Sequence, residues 1–343
     1  MRKPATEKRT ILITGGAGFI GSNFIHYLAL ERPDWHIVNL DKLTYAGSLD
    51  NLDGLNPDFQ YDFIQGDITD GGLLNRLHRR YHFDGIVHFA AESHVDNSIA
   101  SPETFVMSNV MGTFTLLEAA RKWWMPKGRS ACQGRFLHIS TDEVFGELGK
   151  TGVFSETSPY RPNSPYSASK AGSDHLVRSY VKTYGMDCIT TNCSNNYGPR
   201  QHREKFIPTV INTAMTGKEI PIYGDGSNIR DWLFVKDHCE ALLGIFEYSD
   251  PGEHYLIGAN NEQNNLDLAR LICQKLDEIV PSLGGKSYTD QIRFVEDRPG
   301  HDIRYAVDHS KLTGELGWKP VTTFESGLTE TIHWYIGKLN KKL

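Results

Sequence analysis

The stretch TILITGGAGFIGS, residues 10–22, decides the fold. Its first five residues, Thr10–Thr14, form an apolar run that reads as a buried strand. Gly15, Gly18 and Gly21 follow in a G-x-x-G-x-x-G spacing, and an amphipathic stretch then runs to about Leu30. The pattern is strand, tight turn, helix. Glycines at those places let the backbone turn sharply and approach a pyrophosphate, whose charge the helix N-terminus favours. A second apolar run, His36–Leu40, ends on Asp41, twenty residues past Gly21. A carboxylate there accepts hydrogen bonds from ribose hydroxyls and repels a 2′-phosphate, so NAD is expected over NADP. Lys42 alongside softens that preference.

Working outward, Gly85–Ala91 and Phe136–Ser140 read as further strands, and Asp187–Thr191 as a weaker one. Helical patterns lie between them near Gly71–Arg80, Pro102–Trp124 and Pro165–Tyr184. This alternation predicts an α/β fold with a doubly wound, Rossmann-type parallel sheet, its strands buried on both faces. Beyond about Asn192 the segments shorten and Gly, Pro and Asn become frequent, with helices expected at Asn265–Val280 and Phe324–Leu339. Residues 1–192 therefore read mainly as the NAD-binding domain. Residues 193–343 read mainly as a smaller C-terminal substrate-binding lobe over the carboxyl ends of the strands, with some segments returning to the first domain.

The bulk numbers narrow the classes. The 343 residues carry 36 basic and 42 acidic side chains, net −6, well mixed along the chain. No basic field is available to gather nucleic acid or an anionic membrane, so basic residues are expected to act locally on a small anion. The five cysteines show no C-x-x-C spacing, which suits a reducing compartment and argues against a structural zinc. No metal site is expected. The opening MRKPATEKR has no apolar core and no run approaches membrane-spanning length, so a cytoplasmic protein is expected.

Two constellations carry chemistry. Tyr166 and Lys170 stand four residues apart at the start of a helix, on one face. A phenol is a poor base at neutral pH, but a nearby ammonium favours the phenolate, which can take a proton from a sugar hydroxyl. The strand Phe136–Ser140 runs into Thr141, Asp142 and Glu143. Two adjacent carboxylates at a strand end suit one acid and one base held in different protonation states. Once carbon 4 of a sugar is oxidised, its carbon 5 proton becomes acidic. Glu143 is placed to remove it, and Asp142, if protonated, to protonate the departing carbon 6 hydroxyl. A 4-epimerase would need the Tyr-Lys pair without the acid pair, and a non-catalytic dinucleotide sensor would need neither.

With these residues in hand the chain resembles the dTDP-glucose 4,6-dehydratase family of the extended short-chain dehydrogenase/reductase superfamily. The segments that carry the resemblance are TGGAGFIGS (14–22), DKLTYAG (41–47), HFAAESHVD (88–96), STDEVFG (140–146), PYSASK (165–170), CSNNYGP (193–199), EKFIP (204–208), PIYGDG (221–226), IRDW (229–232) and DRPGHD (297–302). The resemblance implies an NAD site lined by Phe19, Ile20, Asp41, Lys42, Leu43, Thr44, Asp67, Ile68, Phe89, Ala90, Ala91, Ser93, Ser108 and Asn196, with Tyr166 and Lys170. It implies that Ser93, Thr141 and Asn195 touch the sugar or its phosphates. Lys205, Phe206, Pro221, Tyr223, Arg230, Asn265, Arg298 and His301 would then hold the nucleoside diphosphate. The implied substrate is a nucleoside-diphosphate hexose, dTDP-glucose in this family, with UDP- or CDP-hexose as the alternative. The implied partner is a second copy of the chain, paired through helices at about 102–124 and 166–184.

The sequence departs from the family pattern at Asn97, Ser108 and Phe145, and at Arg200, His202 and Arg203. The last three are expected to add positive charge near the substrate.

Overall fold

The structure, a computed structural model, describes residues 8–125, 132–282, 285–297 and 300–340. Arg298 lies outside the described residues. The strands, in chain order, are β1 Thr10–Thr14, β2 His36–Asp41, β3 Tyr61–Gln65, β4 Gly85–His88, β5 Arg135–Thr141 and β6 Cys188–Cys193. They continue with β7 Asn195–Tyr197, β8 Ile220–Tyr223, β9 Ile229–Phe234, β10 His254–Ile257, β11 Glu262–Asn264 and β12 Ile292–Val295.

Seven strands form one parallel sheet in the order β10-β6-β5-β4-β1-β2-β3. The pleat explains its two cores. Ile11 and Ile13 face one side, packed with Phe24 and Leu28 and with Leu242 and Phe246. Leu12 faces the other, with Leu74, Leu77, Leu116 and Val177. All three β1 side chains are fully buried. Each buried aliphatic side chain of this kind stabilises the fold by about 1.5–3 kcal/mol. The helices responsible are Phe19–Glu31 and Val235–Tyr248 on one face, and Gly71–Tyr81, Gly112–Trp124 and Pro165–Tyr184 on the other.

The expected single helix over Pro102–Trp124 is interrupted: Pro102–Phe105 and Gly112–Trp124 are α-helical, and Val106–Met111 between them is a π-helical turn. Such a turn is costly in regular helix and recurs near functional sites. Here Asn109 from the turn donates to Ser169 Oγ at 2.8 Å, and Ser173 Oγ donates to the Asn109 carbonyl at 2.7 Å. The two helices are thereby locked together.

A separate core gathers Ile207, Val210 and Ile211 with Ile220, Ile222, Leu268, Ile272 and Leu328. Its strands form two small sheets, β11-β9-β7 and β12-β8. Strand β10 and the helix Val235–Tyr248 belong instead to the seven-stranded layer. Among the described residues no helix is long and apolar enough to cross a membrane, and no cluster of side chains could hold a metal ion.

Candidate active site

The cleft opens at the carboxyl ends of β1, β2, β4, β5 and β6. Gly15 turns the chain there at φ +73°, in the left-handed region, and a Cβ would sit 2.6 Å from the Ala90 amide nitrogen. Only a residue without a side chain fits between the two strand ends. The following helix starts at Gly18, which offers no side-chain cap, so its first amides face the cleft unsatisfied by a cap. Gly15, Gly18, Phe19, Ile20 and Gly21 all line it. These features fit a dinucleotide pyrophosphate.

Asp41 is buried at the end of β2. One of its oxygens accepts from the Ala17 amide at 2.9 Å and the other from the Leu43 amide at 2.8 Å. Each oxygen retains a lone pair for a ribose hydroxyl. Burial raises the Asp41 pKa, and the two amides oppose the shift. Leu43 is not a lining residue: at φ +56° it contributes its amide to Asp41. Lys42 is drawn to Asp67 Oδ2 at 2.7 Å. Its charge is thereby offset, and the expected softening of the NAD preference loses its basis.

The acid pair is placed by a short turn. Thr141 ends β5, and its hydroxyl accepts from the Glu143 amide at 3.3 Å, capping the 3₁₀ turn Asp142–Phe145. Gly146 ends that turn at φ +83°, where a Cβ would lie 2.4 Å from the Arg161 carbonyl oxygen. Phe145 packs beneath, its ring 5.2 Å from Phe154 and 5.1 Å from Tyr160. Asp142 is 2% exposed; Thr141 donates to its Oδ1 at 3.3 Å, and its Oδ2 has no partner. Burial holds its pKa well above the carboxylate range, reinforced by the charges of Glu143 and Asp231 and only partly opposed by Arg230. Asp142 is therefore biased toward its protonated form beside Glu143.

The helix Pro165–Tyr184 begins with a reciprocal box: Ser164 Oγ accepts from the Ser167 amide at 3.1 Å, and the Ser167 hydroxyl accepts from the Ser164 amide at 3.0 Å. Pro165 at the first position presets the helix. Tyr166 and Lys170 both face the cleft. Lys170 Nζ donates to the Ile139 carbonyl at 2.8 Å. The expectation that Lys170 lowers the tyrosine pKa does not hold for the protein by itself. Burial holds Tyr166 well above the ordinary phenol value, Glu143 and Cys193 add to that, and the Thr141 hydroxyl opposes it.

The cleft brings together most of the residues singled out in the sequence: Thr44, Ile68, Phe89, Ala90, Ala91, Ser93, Ser108, Asn195, Asn196 and Lys205 line it with the groups above. Lys205 Nζ donates to the Ser93 carbonyl at 2.8 Å. The sequence reading missed Ala46, Gly66, Ser194, Gln201 and Glu204, which also line it. Ala46, Ser194 and Glu204 sit in the DKLTYAG, CSNNYGP and EKFIP segments, so these three had a signal.

Phe206, Pro221, Tyr223, Arg230, Asn265 and His301 belong to the smaller lobe and do not line the cleft, although the Arg230 charge reaches Asp142. Tyr223 and His301 meet ring to ring at 6.3 Å, and His301 pairs with Asp297 at 2.7 Å. Phe206 packs on Trp232, and the Asn265 amide donates to the Asn228 carbonyl. Arg230 is buried, donating to the carbonyls of Ile229, Ile303 and Asp302, with its guanidinium 4.4 Å from the Tyr305 ring centre.

The added positive charge expected from the 200–203 loop does not reach the cleft as a group. Arg200 turns back to the Asn51 carbonyl at 2.9 Å and Asn23 Oδ1 at 3.2 Å, and Arg203 is exposed. Only His202 lines the cleft, 3.5 Å from Glu204. Asn97 is exposed on the helix Val95–Ala100.

A glycine-turned dinucleotide site, a buried Tyr-Lys pair and a buried acid beside a second carboxylate define a nucleotide-dependent dehydratase of the Rossmann type. Comparison with known proteins makes this specific. A family model described as GDP-mannose 4,6 dehydratase matches residues 12–331. A dTDP-glucose 4,6-dehydratase from Xanthomonas campestris pv. campestris (strain B100) is 53% identical over 329 residues, covering 95% of this chain and 93% of its own. Among solved structures, DesIV, a dTDP-glucose 4,6-dehydratase from Streptomyces venezuelae with NAD bound, superposes with a TM-score of 0.88 at 43% identity, covering 97% of this chain and 98% of its own. A UDP-glucose 4-epimerase from Thermotoga maritima shares the fold at 27% identity and a TM-score of 0.82, covering 96% and 99%. The chain belongs to this dehydratase family, and within it to the dTDP-glucose 4,6-dehydratases.

Proposed function

We propose that this chain converts dTDP-glucose to dTDP-4-keto-6-deoxyglucose. The sequence of events is oxidation at carbon 4, elimination of water across carbons 5 and 6, and reduction at carbon 6. The observation that carries the reading is Asp142: a buried carboxyl group with an unpartnered oxygen, directly beside Glu143 in the cleft, its pKa pushed up chiefly by burial. An epimerase sharing the fold has no elimination for such a donor to serve.

Bound NAD supplies the acceptor that takes a hydride from the sugar and later gives it back, so no external oxidant is consumed. The residues of this chain do the rest. Gly15, Gly18 and Gly21 leave room for the pyrophosphate and Asp41 receives the ribose hydroxyls, with Asp67, Ile68 and Phe89–Ser93 along the wall. Tyr166 takes the proton of the carbon 4 hydroxyl. Burial raises its pKa, so the positive charges of Lys170 and of bound NAD would be what favours the phenolate. Thr141 and Lys170 hold the geometry. Glu143 then removes the acidified carbon 5 proton, and Asp142 gives its proton to the carbon 6 hydroxyl as it leaves. Ser93, Asn195 and Lys205 face the sugar and phosphates, while Tyr223, Arg230, Asn265, Arg298 and His301 serve the nucleoside diphosphate. Residues 1–192 supply mainly the NAD site and residues 193–343 mainly the nucleotide-sugar site.

Two further parts of the reading have separate support. Ile99, Val106, Met107, Met111 and Phe114 are large apolar side chains left exposed around the 102–124 segment, as pairing of two copies through it requires. All five cysteines are free, as a reducing cytoplasm would keep them.

Proton NMR of the product tests the reaction. Dehydration of dTDP-glucose creates a methyl signal at carbon 6. Conversion to a galactose epimer, with no methyl signal, would overturn the proposal, and dehydration of UDP-glucose in preference would reassign the base.

A further inference from the structure

We propose that Asp174 is a positioning residue for the oxidation step: it holds the charge of Lys170, so that Tyr166 is the member of the pair that gives up its proton. Asp174 is one helical turn beyond Lys170 and both are buried. It accepts three hydrogen bonds from three directions. The Tyr160 hydroxyl donates to Oδ2 at 2.9 Å, Asn192 Nδ2 from β6 to the same oxygen at 3.0 Å, and His138 Nε2 from β5 reaches Oδ1 at 3.1 Å. A carboxylate with this many donors stays ionised. Burial pushes Asp174 up, but His138, Lys170 and Asn192 together hold it below the ordinary value.

The other titratable groups around it are His138, His88, His254 with Lys311 behind it, and Cys193. His138 is lowered by burial and then by Lys170, and its Nδ1 has no partner, so it is the Nε2–H imidazole donating to Asp174. His88 from β4 is lowered by burial, then by His138 and Lys170. His254 from β10, 2.6 Å from Asn192 Oδ1, is lowered mainly by burial. Lys311 lies behind it, donating to the His254 carbonyl. The Cys193 thiol is pushed up to about 12, chiefly by burial. Lys170 itself is lowered by burial, and the carboxylate that opposes the loss of its charge is Asp174.

The consequence concerns where a proton sits. In the NAD-loaded enzyme, where the cofactor's positive charge would offset the burial that raises Tyr166, loss of the first proton by the Tyr166-Lys170 pair gives either phenolate with ammonium or phenol with amine. Only the first can take the sugar proton. Along the helix the Asp174 backbone is about 6 Å from that of Lys170 and about 12 Å from that of Tyr166, and Asp174 is among the groups that favour the Lys170 charge but not among the main ones that raise Tyr166. Its charge therefore favours the ammonium more than it disfavours the phenolate.

The test is Asp174→Asn in the NAD-loaded enzyme, following nicotinamide reduction by stopped flow as a function of pH. It rests on the roles given to Tyr166 and Lys170 above. The expected result is a plateau about tenfold lower with an acid limb moved about one pH unit down. Removing a negative charge eases loss of the proton but leaves it on the wrong member. Asp174→Glu restores both features, and Tyr160→Phe, which keeps the carboxylate, leaves the limb in place. A rate lowered at every pH with an unmoved limb, or an unchanged profile, overturns the proposal. If Asp174→Asn does not fold, NMR of ε-carbon-labelled lysine in the wild-type holoenzyme decides, with Lys170→Met for assignment: an ammonium at neutral pH is expected, an amine overturns it. Nicotinamide reduction by Tyr166→Phe would instead defeat the underlying reading of the pair.

Discussion

Replacing Asp142 with Asn separates the protonation state of the buried acid from its chemistry. In the native fold burial, and then the charge of Glu143, push the Asp142 pKa well above its ordinary value and favour the protonated form. In the unfolded chain the same group ionises near pH 3.9. The native state therefore binds one more proton than the unfolded state across the range between the two values. Stability contributed by this group is fully present below the unfolded value and is lost as pH rises, at about 1.4 kcal/mol per pH unit until the native value is reached. Asn at this position is neutral throughout and has no such slope. Its extra N–H bonds impose a constant offset of about 1–3 kcal/mol if they find no partner, but that offset does not depend on pH. The stability of Asp142→Asn relative to wild type should thus rise with pH above the unfolded value, by at most about 1.4 kcal/mol per unit. Guanidinium unfolding of both proteins with saturating NAD measures it. Parallel stability curves would refute the neutral-acid argument, as would a variant that loses ground as pH rises. In turnover the same variant should still reduce nicotinamide on mixing but eliminate water about 10²–10⁴-fold more slowly.

Glu143→Gln should bind substrate nearly as well and accumulate reduced cofactor, seen as a persistent absorbance; normal turnover would remove Glu143 from the mechanism. Tyr166→Phe should give no reduced nicotinamide in the first turnover, and rapid reduction would count against it as the base. Gly15→Ala places a Cβ 2.6 Å from the Ala90 nitrogen in a left-handed backbone at φ +73°. It should lose about 2–5 kcal/mol of stability and most of its retained NAD, measured by unfolding and by cofactor released on denaturation. Unchanged NAD content would contradict the fit of the cradle.

The legible parts of the fold are those whose signals are local. The apolar run Thr10–Thr14 and its glycine turn, and the Ser164-Pro165 start of the Tyr166 helix, each carry their own reason within a few residues. Strand Tyr61–Gln65 escaped notice because it is the sheet edge and its side chains are only partly buried, so no apolar run marks it. Strand Ile229–Phe234 was hidden by its buried polar residues. Asp231 is satisfied by the amides of Ala259 and Asn261, at 3.1 and 2.7 Å, some 30 residues on. The π turn at Val106–Met111 has no sequence signature that separates it from helix. In the site, the acid pair and the Tyr-Lys pair were legible because strand end and helix start aim them at one cleft. Asp174 was not, since its donors Tyr160, Asn192 and His138 converge only when β5, β6 and the helix are assembled. Arg200 illustrates the opposite error, a charge assigned to the substrate whose partners Asn23 and Asn51 turn it away.

The most direct test is mass spectrometry of dTDP-glucose after incubation with the purified protein, without added NAD. Loss of one water from the sugar nucleotide is the expected result, and it would establish dehydration and a retained, recycled cofactor together. An unchanged mass both with and without NAD would contradict the account.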